Sequence, residues 1–234
     1  MSLLTMVQNF CQRTQLNVPS TVLGSTDPQV LQVKALLEEE GIDLAQRGEW
    51  QELVNEATHT TVATESQGDI DTICSNGFRY IKNETSWDRT EQLPLYDVEA
   101  PGWQQLKANN VTGPYYEVRI RGGELLSIPT PPAGNTWAFE YISYNWITDS
   151  AGTTYKEFFT QDTDLMLLPE RILMSGLRWR WKKEKGLEYA EDFFTYEKMV
   201  HSALSRQGFN GILTQTVRRK RSPGIIVPEG SWNL

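Results

Sequence analysis

Residues 168–208 form the longest continuous run of helix-forming signals in the chain, and they constrain the fold more than any other stretch. Pro169 and Glu170 are typical of a first helical turn, because proline needs no amide partner there and a carboxylate suits the positive end of the helix dipole. Lysines precede Gly186, which is typical of a helix end. The apolar residues that recur at helical spacing are Ile172, Leu173, Leu177 and Trp181.

A second helix is predicted directly after Gly186 and is expected to end near Gly208. Acidic side chains lie near its start, where the helix dipole favours them. Two helices that meet at a glycine form a hairpin or a bend. The predicted apolar stripe of this second helix comprises Leu187, Ala190, Phe193, Phe194, Val200 and Leu204.

The first of these helices carries Arg178, Trp179, Arg180 and Trp181 in one turn. Successive helical residues point about 100° apart, so these four side chains cannot all face the apolar stripe. In one interpretation they clamp the helix against its own domain, with the arginine stems covering apolar surface. In the other they form a subunit interface, because Trp and Arg are enriched at interface hot spots.

The run from Gly176 to Val200, GLRWRWKKEKGLEYAEDFFTYEKMV, resembles the C-terminal helical region of tailed-phage head-to-tail adaptor proteins. That family includes the tail tubular A proteins of podoviruses. An opening of short helices, a β-rich middle portion and a loose C-terminal tail agree with the resemblance. The motif is a pattern of packing residues and contains no reacting group.

The resemblance implies a structural virion protein rather than an enzyme. A ring of about twelve copies would sit below the portal protein, join it to a tail nozzle or tail tube component, and leave a channel for double-stranded DNA during packaging and ejection. The location implied is the neck between capsid and tail, after assembly in the host cytoplasm. No cofactor or metal is implied.

The N-terminal part is predicted to be helical. A first helix is expected over residues 3–14, and Asp27 and Pro28 are typical of an N-cap and first residue of the next. Glu38, Glu39 and Glu40 follow in that helix. Three consecutive carboxylates fan around a helix and cannot converge on one atom, so a solvated face is expected rather than an acid catalyst.

The pattern changes to that of strands from about Trp50. Residues 56–65 are rich in Thr and Val, and residues 116–121 alternate apolar and polar side chains before the Gly122-Gly123 turn. A further strand is predicted around Trp137, Phe139 and Tyr141. Three antiparallel strands in a row predict a small sheet or sandwich.

Two groups in this region have alternative interpretations. Four aromatic residues either fill the core of the sheet or form a stacking platform for a sugar or a single-stranded base: Trp103, Trp137, Tyr144 and Trp146. The platform leads to an alternative function, a carbohydrate-binding or host-recognition module of a phage tail. Asp162 and Asp164 are expected to cap the helix that follows, although a metal site is the alternative.

Signatures of catalysis are lacking in the sequence. His59 and His201 lie near no recognisable nucleophile, and no phosphate-binding glycine loop is present. A hydrolase whose carboxylates meet only in the fold remains a third alternative.

Cys11 and Cys74 are expected to be free thiols. The opening residues lack the features of a signal peptide, and no apolar run is long enough to span a bilayer, so a cytoplasmic protein without membrane contact is expected.

Charge is distributed unevenly along the chain. Residues 1–170 contain 10 Lys and Arg against 24 Asp and Glu, whereas residues 171–221 contain 12 against 5. Opposite charges on one chain suit self-association or docking onto a partner. The end of the chain either folds back on its own subunit or grips a neighbour, and in the resembling family this extension would bind the portal. The residues to which that role would map are Arg218, Arg219, Lys220, Arg221, Ile225, Ile226, Val227 and Trp232.

Together these patterns predict an α+β fold in which N- and C-terminal helices form a helical bundle. A mainly antiparallel β-sheet or sandwich is inserted between them, and an extended tail follows. The predicted parts are N-terminal helices at residues 1–49, a β-rich region at 50–160, C-terminal helices at 161–208 and a docking tail at 209–234.

Overall fold

A computed structural model describes residues 1–109 and 113–207 of the chain. These residues divide into two compact units. The helical unit comprises Met1–Asn55, Asn76–Tyr80 and the described residues from Ile142 onward, and the β-rich unit comprises Glu56–Ser75 and Ile81–Tyr141. Each unit is therefore assembled from segments that are distant in sequence.

Among its described residues the helical unit contains four α-helices, a short 3-10 helix (Gln51–Leu53) and a small antiparallel sheet. The helices are α1 (Leu3–Thr14), α2 (Pro28–Gln46), α5 (Glu170–Glu184) and α6 (Ala190–Gln207). The sheet has the order β10-β9-β11, formed by β9 (Ile147–Thr148), β10 (Tyr155–Lys156) and β11 (Leu165–Met166).

The strands of the β-rich unit are β1 (Val54–Thr60), β2 (Ser66–Asp69), β3 (Tyr80–Ile81), β4 (Trp87–Asp88), β5 (Leu93–Asp97), β6 (Tyr116–Arg121), β7 (Glu124–Ile128) and β8 (Thr136–Ile142). They form an eight-stranded mixed sheet with the order β1-β8-β4-β5-β6-β7-β2, and β3 pairs with β8. Pairs β4–β5, β4–β8, β6–β7 and β2–β7 are antiparallel, whereas β5–β6 is parallel. Two helices belong to this unit, α3 (Ile70–Ile73) and α4 (Ala100–Ala108).

The chain is α+β, but the predicted bundle of N- and C-terminal helices is wrong. The core of the helical unit is shared between its helices and the segment from Ile142 to Leu168, which supplies Trp146, Phe159 and Met166. The sheet β10-β9-β11 lies within that segment, and α3 and α4 lie in the other unit. The helices therefore pack on a sheet and loops rather than only on one another.

Two interior glycines explain how α2 packs so closely on its neighbours. A Cβ atom at Gly41 would lie well inside 3.0 Å of the Trp146 ring, and one at Gly176 would lie equally close to the carboxyl of Glu40. Glycine normally weakens a helix interior by about 1 kcal/mol, so its presence at both positions reflects the space that these neighbours need. The expectation that Glu40 lies on a solvated face is wrong, since its side chain is fully buried.

Local predictions at several element ends are confirmed. Helix α1 spans the predicted residues, and the Asp27 side chain accepts a hydrogen bond from the Gln29 amide at the start of α2. Strands β6 and β7 pair across Gly122 and Gly123, whose φ angles are +64° and +85°. Two glycines with positive φ suit the tight turn of a hairpin.

Asp162 and Asp164 organise loops instead of capping α5. The Asp162 carboxylate accepts hydrogen bonds from the backbone amides of Val22 and Leu23, each at 3.0 Å. Asp164 is fully buried and accepts from the amides of Thr160 and Gln161 and from Lys156 Nζ, each at 2.8 Å. These donors stabilise the charged carboxylate and hold the pKa of Asp164 below its usual range, although burial acts in the opposite direction.

Replacing Gly176 with Ala is expected to lower the free energy of unfolding by about 1–3 kcal/mol, because the new methyl group overlaps the Glu40 carboxyl. The higher helix propensity of alanine acts in the opposite direction, so a net loss reports the overlap. Urea unfolding followed by circular dichroism measures the change. Ser175→Ala on the same helix is the matched control and should stay within about 0.5 kcal/mol of wild type. Equal stability of Gly176→Ala and wild type would contradict the packing at this crossing.

Candidate subunit interface

The turn between α5 and α6 and the first residues of α6, Gly186–Phe194, form a surface that we call the apex. Gly186 has a φ of +67°, which glycine adopts without strain. The amide of Gly186 donates to the carbonyl of Lys183 at 3.1 Å, and the amide of Leu187 donates to that of Lys182 at 2.9 Å. These bonds satisfy the last carbonyls of α5, so the chain leaves that helix in a fixed direction.

Apolar side chains are exposed at the apex in unusual number. Of the eleven large hydrophobic residues exposed in the described chain, four lie here: Leu187, Tyr189, Phe193 and Phe194. Phe194 is 59% exposed and Leu187 55%. Single exposed apolar residues are normal on a protein surface, so four within nine consecutive residues make the apex a candidate interaction site.

Trp179 lies beneath the apex and supports its aromatic rings. The ring of Phe193 meets it edge-on with centroids 5.1 Å apart, and the rings of Tyr189 and Tyr196 lie at 6.4 and 6.1 Å. A shallow cavity of about 450 Å³ opens between Trp179, Lys183, Tyr189 and Phe193. The buried indole Nε1–H of Trp179 has no acceptor among the described residues.

Cations stack on the aromatic rings of this region. The Arg180 guanidinium lies 4.8 Å from the centroid of the Trp179 ring, and Lys198 Nζ lies 4.3 Å from that of Phe194. Lys185 Nζ stacks in the same way on Trp181 at 4.4 Å. Lys198 thereby limits the rotamers of Phe194, and Arg180 those of Trp179 beneath the apex.

The charge of the apex itself is negative. Gly186–Phe194 contains Glu188, Glu191 and Asp192 and no basic residue. Asp192 pairs with Arg178 at 3.0 Å and also with Lys182. The exposed carboxylates of Glu188 and Glu191 form no ion pair with a described residue. The apex therefore presents aromatic rings together with two carboxylates that are available to a partner.

The structure separates the four residues that the sequence suggested for a subunit interface. Trp179, Arg180 and Trp181 are buried, and the Trp181 ring packs edge-on against Phe10 at 5.7 Å. Only Arg178 is exposed, at 60% of its side chain. Their packing agrees with the clamp interpretation, and a direct contact with a neighbouring subunit stays a prediction.

The sequence predicts Leu187, Phe193 and Phe194 on the apolar stripe of the second helix, but the structure exposes all three. Only Val200 of that stripe is fully buried, and Tyr196 takes the central position on the buried face of α6. The exposed positions lie on the other flank of the helix. The predicted portal-binding residues, Arg218, Arg219, Lys220, Arg221, Ile225, Ile226, Val227 and Trp232, lie outside the described residues.

A buried ion pair holds α5, and with it the apex, against α2. Arg180 Nε donates to Glu40 Oε2 at 2.7 Å, and the other guanidinium nitrogens reach the exposed carboxylates of Glu39 and Asp43. Burial raises the pKa of Glu40 above its usual value, and the Tyr196 hydroxyl and Arg180 oppose that rise. Burial raises the pKa of the Tyr196 hydroxyl, and the nearby Glu40 carboxylate raises that pKa further. Neither Glu40 Oε1 nor the Tyr196 hydroxyl forms a hydrogen bond of standard geometry with a described residue.

Other candidate sites from the sequence are placed as follows. Trp103, Trp137 and Trp146 are fully buried and only Tyr144 is exposed, so these residues form no stacking platform on the described surface. Cys11 and Cys74 are free, as predicted, and the structure places both in the interior. In the described residues no group of three or more His, Cys, Asp or Glu side chains could hold a metal ion. No described helix combines the length and apolar character needed to cross a membrane.

Replacing Glu40 with Gln is expected to flatten the pH dependence of stability. A carboxyl whose pKa is higher in the folded chain stabilises the fold below its unfolded pKa, near 4.5, and this contribution is lost as pH rises through the raised value. A difference of one pKa unit corresponds to about 1.4 kcal/mol. The stability of wild type relative to Glu40→Gln should therefore fall from pH 4 towards pH 7 in urea titrations. Glu39→Gln is the control, and a difference that rises with pH would contradict the sign.

A scan against protein-family models found no match, and a search of curated proteins found no significantly similar sequence.

Proposed function

We propose that this chain is a structural subunit of the head-to-tail adaptor ring of a tailed bacteriophage. In this role it binds the portal protein, joins it to a tail component and forms part of the DNA channel. About twelve copies form the ring, as the resemblance implies. The single observation that carries the proposal is the exposed aromatic surface of the apex, which lies on the run of sequence that resembles the adaptor family.

A ring subunit needs surface that is exposed in the monomer and buried after assembly. The apex meets this requirement, since its rings are exposed while Trp179 and the stacked cations hold them in place. Aromatic residues are enriched at interface hot spots, and preorganised side chains lose less entropy on binding. The helical unit is thus the part that forms contacts between subunits in this proposal.

The charge of the β-rich unit suits a role beside DNA. Residues 56–75 and 81–141 contain 12 acidic and 5 basic side chains, which gives a net charge of −7. Carboxylates that line a channel repel the phosphates of passing DNA and so prevent adhesion during packaging and ejection. We propose that acidic residues of this unit contribute to the channel wall.

The sequence of the tail suits portal binding. It combines four consecutive cations at 218–221 with the apolar residues Ile225, Ile226 and Val227 and ends near Trp232. Such a segment can bind a groove or add a strand to a partner sheet. We therefore assign the grip on the portal to the tail and the contacts between subunits to the helical unit.

A second candidate is a carbohydrate-binding module, and one observation in the β-rich unit favours it. A cavity of about 830 Å³ is lined by Trp87, the carboxylates of Glu56, Glu91 and Glu140, and Arg89. A half-buried tryptophan with polar groups around it can stack on a sugar ring and bind its hydroxyl groups. The candidate sugar site is therefore this cavity and not the buried tryptophans Trp103, Trp137 and Trp146.

The adaptor proposal predicts that the full chain adds several copies to portal rings of its phage, whereas a chain that ends at Gly211 adds none. Mass photometry counts the copies on each ring. Val62→Ser, which removes an exposed apolar side chain from the β-rich unit, is the control and should load as wild type does. Equal loading of the truncated chain would move the portal contact to the helices. No loading of the full chain would remove the proposal.

The adaptor proposal also predicts no sugar-dependent signal on a glycan array. A signal that Trp87→Ala abolishes would instead support the carbohydrate-binding candidate, because this substitution removes the stacking surface of the cavity. Tyr96→Ala changes another exposed aromatic residue of the same unit that does not line the cavity, and it serves as the control.

A further inference from the structure

A second concave surface in the helical unit has a chemistry that complements the apex. This groove, a cavity of about 420 Å³, lies between α1, α5 and α6. Its apolar wall includes Met6, Met174 and Met199, and its cations are Arg13, Arg171 and Arg178. Glu170 adds one carboxylate, so the charged side chains that line the groove are mostly positive.

The arginines of the groove are largely available to a partner. Arg13 and Arg171 are exposed and form no ion pair with a described residue. Arg178 is exposed but already pairs with Asp192, whose largely buried carboxylate also binds Lys182, so it is less available than the other two arginines. Met174 and Met199 are half-buried, and flexible thioether side chains adapt well to an incoming ring.

We propose that the apex of one copy docks into the groove of a second copy of the same chain. The proposal rests on the proposed function, because it names the two surfaces that meet in the ring. The partner is identified by complementary chemistry. Phe193, Phe194 and Leu187 meet the methionines and the arginine stems, and Glu188 and Glu191 meet Arg13 and Arg171.

The exposed apolar side chains of the apex cannot enter the groove of their own chain, although Asp192 of the apex pairs with Arg178 at its edge. Arg171 and Leu187 lie at opposite ends of α5, and that helix spans about 20 Å at 1.5 Å per residue. On α6 the two surfaces also face different directions, since Phe193 and Met199 are separated by about 120° around the helix axis. Two different surfaces therefore meet at each contact, and a contact of this kind closes into a ring when the rotation between neighbours allows it.

The test uses two full-length variants, each with one damaged surface. The apex variant carries Leu187→Ser and Phe194→Ser, and the groove variant carries Arg13→Glu and Arg171→Glu. All four side chains are exposed, so both variants should keep the melting temperature of wild type. Mass photometry is performed on each variant and on a 1:1 mixture, in solution and on portal rings, with Val62→Ser as the control.

Each variant alone is expected to self-associate at least ~10-fold more weakly than wild type. The mixture is expected to form 1:1 dimers that grow no further, because each mixed pair contains one intact apex and one intact groove. The docking is overturned if either variant assembles as wild type does, or if the mixture forms no dimers while wild type oligomerises. These results would contradict the docking but not the proposed function. A wild-type chain that neither self-associates nor loads onto portal rings would contradict both.

Discussion

The contact between Glu40 and Arg180 determines the arrangement of the helical unit. A fully buried carboxylate is unfavourable unless it is paired, and here the pair forms only because Gly176 lets the carboxyl lie directly against the backbone of α5. The guanidinium that neutralises Glu40 also stacks on Trp179, and Trp179 supports the aromatic rings of the apex. The exposed surface is thus coupled to a buried charge through two side chains.

This arrangement divides the cations of α5 between two roles. Arg180 is buried and paired with Glu40 inside the unit, whereas Arg171 and Arg178 are exposed and line the groove beside its methionines. Neighbouring residues of one helix point about 100° apart, so a short run with alternating Arg and Trp supplies both a core clamp and a cationic surface. The asymmetry between an acidic, aromatic apex and a basic, methionine-lined groove follows from the order of residues along α1, α5 and α6.

Much of the local structure was predictable from the sequence because it depends on local chemistry. Asp27 with Pro28, the Gly122-Gly123 turn and Gly186 each determine the backbone within a few residues. The bundle prediction failed because nothing local indicates that residues 142–168 fill the helical core, a position that depends on the fit of Trp146 against Gly41. Glu40 was misplaced for the same reason, since its partner is 140 residues away. The exposure of Phe193 and Phe194 could not be predicted, because helical spacing alone does not show which face of α6 is covered. One signal of the close contact between α2 and α5 was present in the sequence, namely Gly176 in the interior of a predicted helix.

The discontinuous course of the chain has a consequence for its synthesis. Helix α2 leaves the ribosome about 120 residues before α5, a delay of roughly 6 to 24 s at 5–20 residues per second. During that interval the segment 56–141 can form its own sheet, whereas α1 and α2 still lack α5, the helix that packs against them. Glu40 stays hydrated and charged until Arg180 emerges. The helical unit therefore cannot close before Arg180 has emerged, and its closure takes the Glu40 carboxyl out of water.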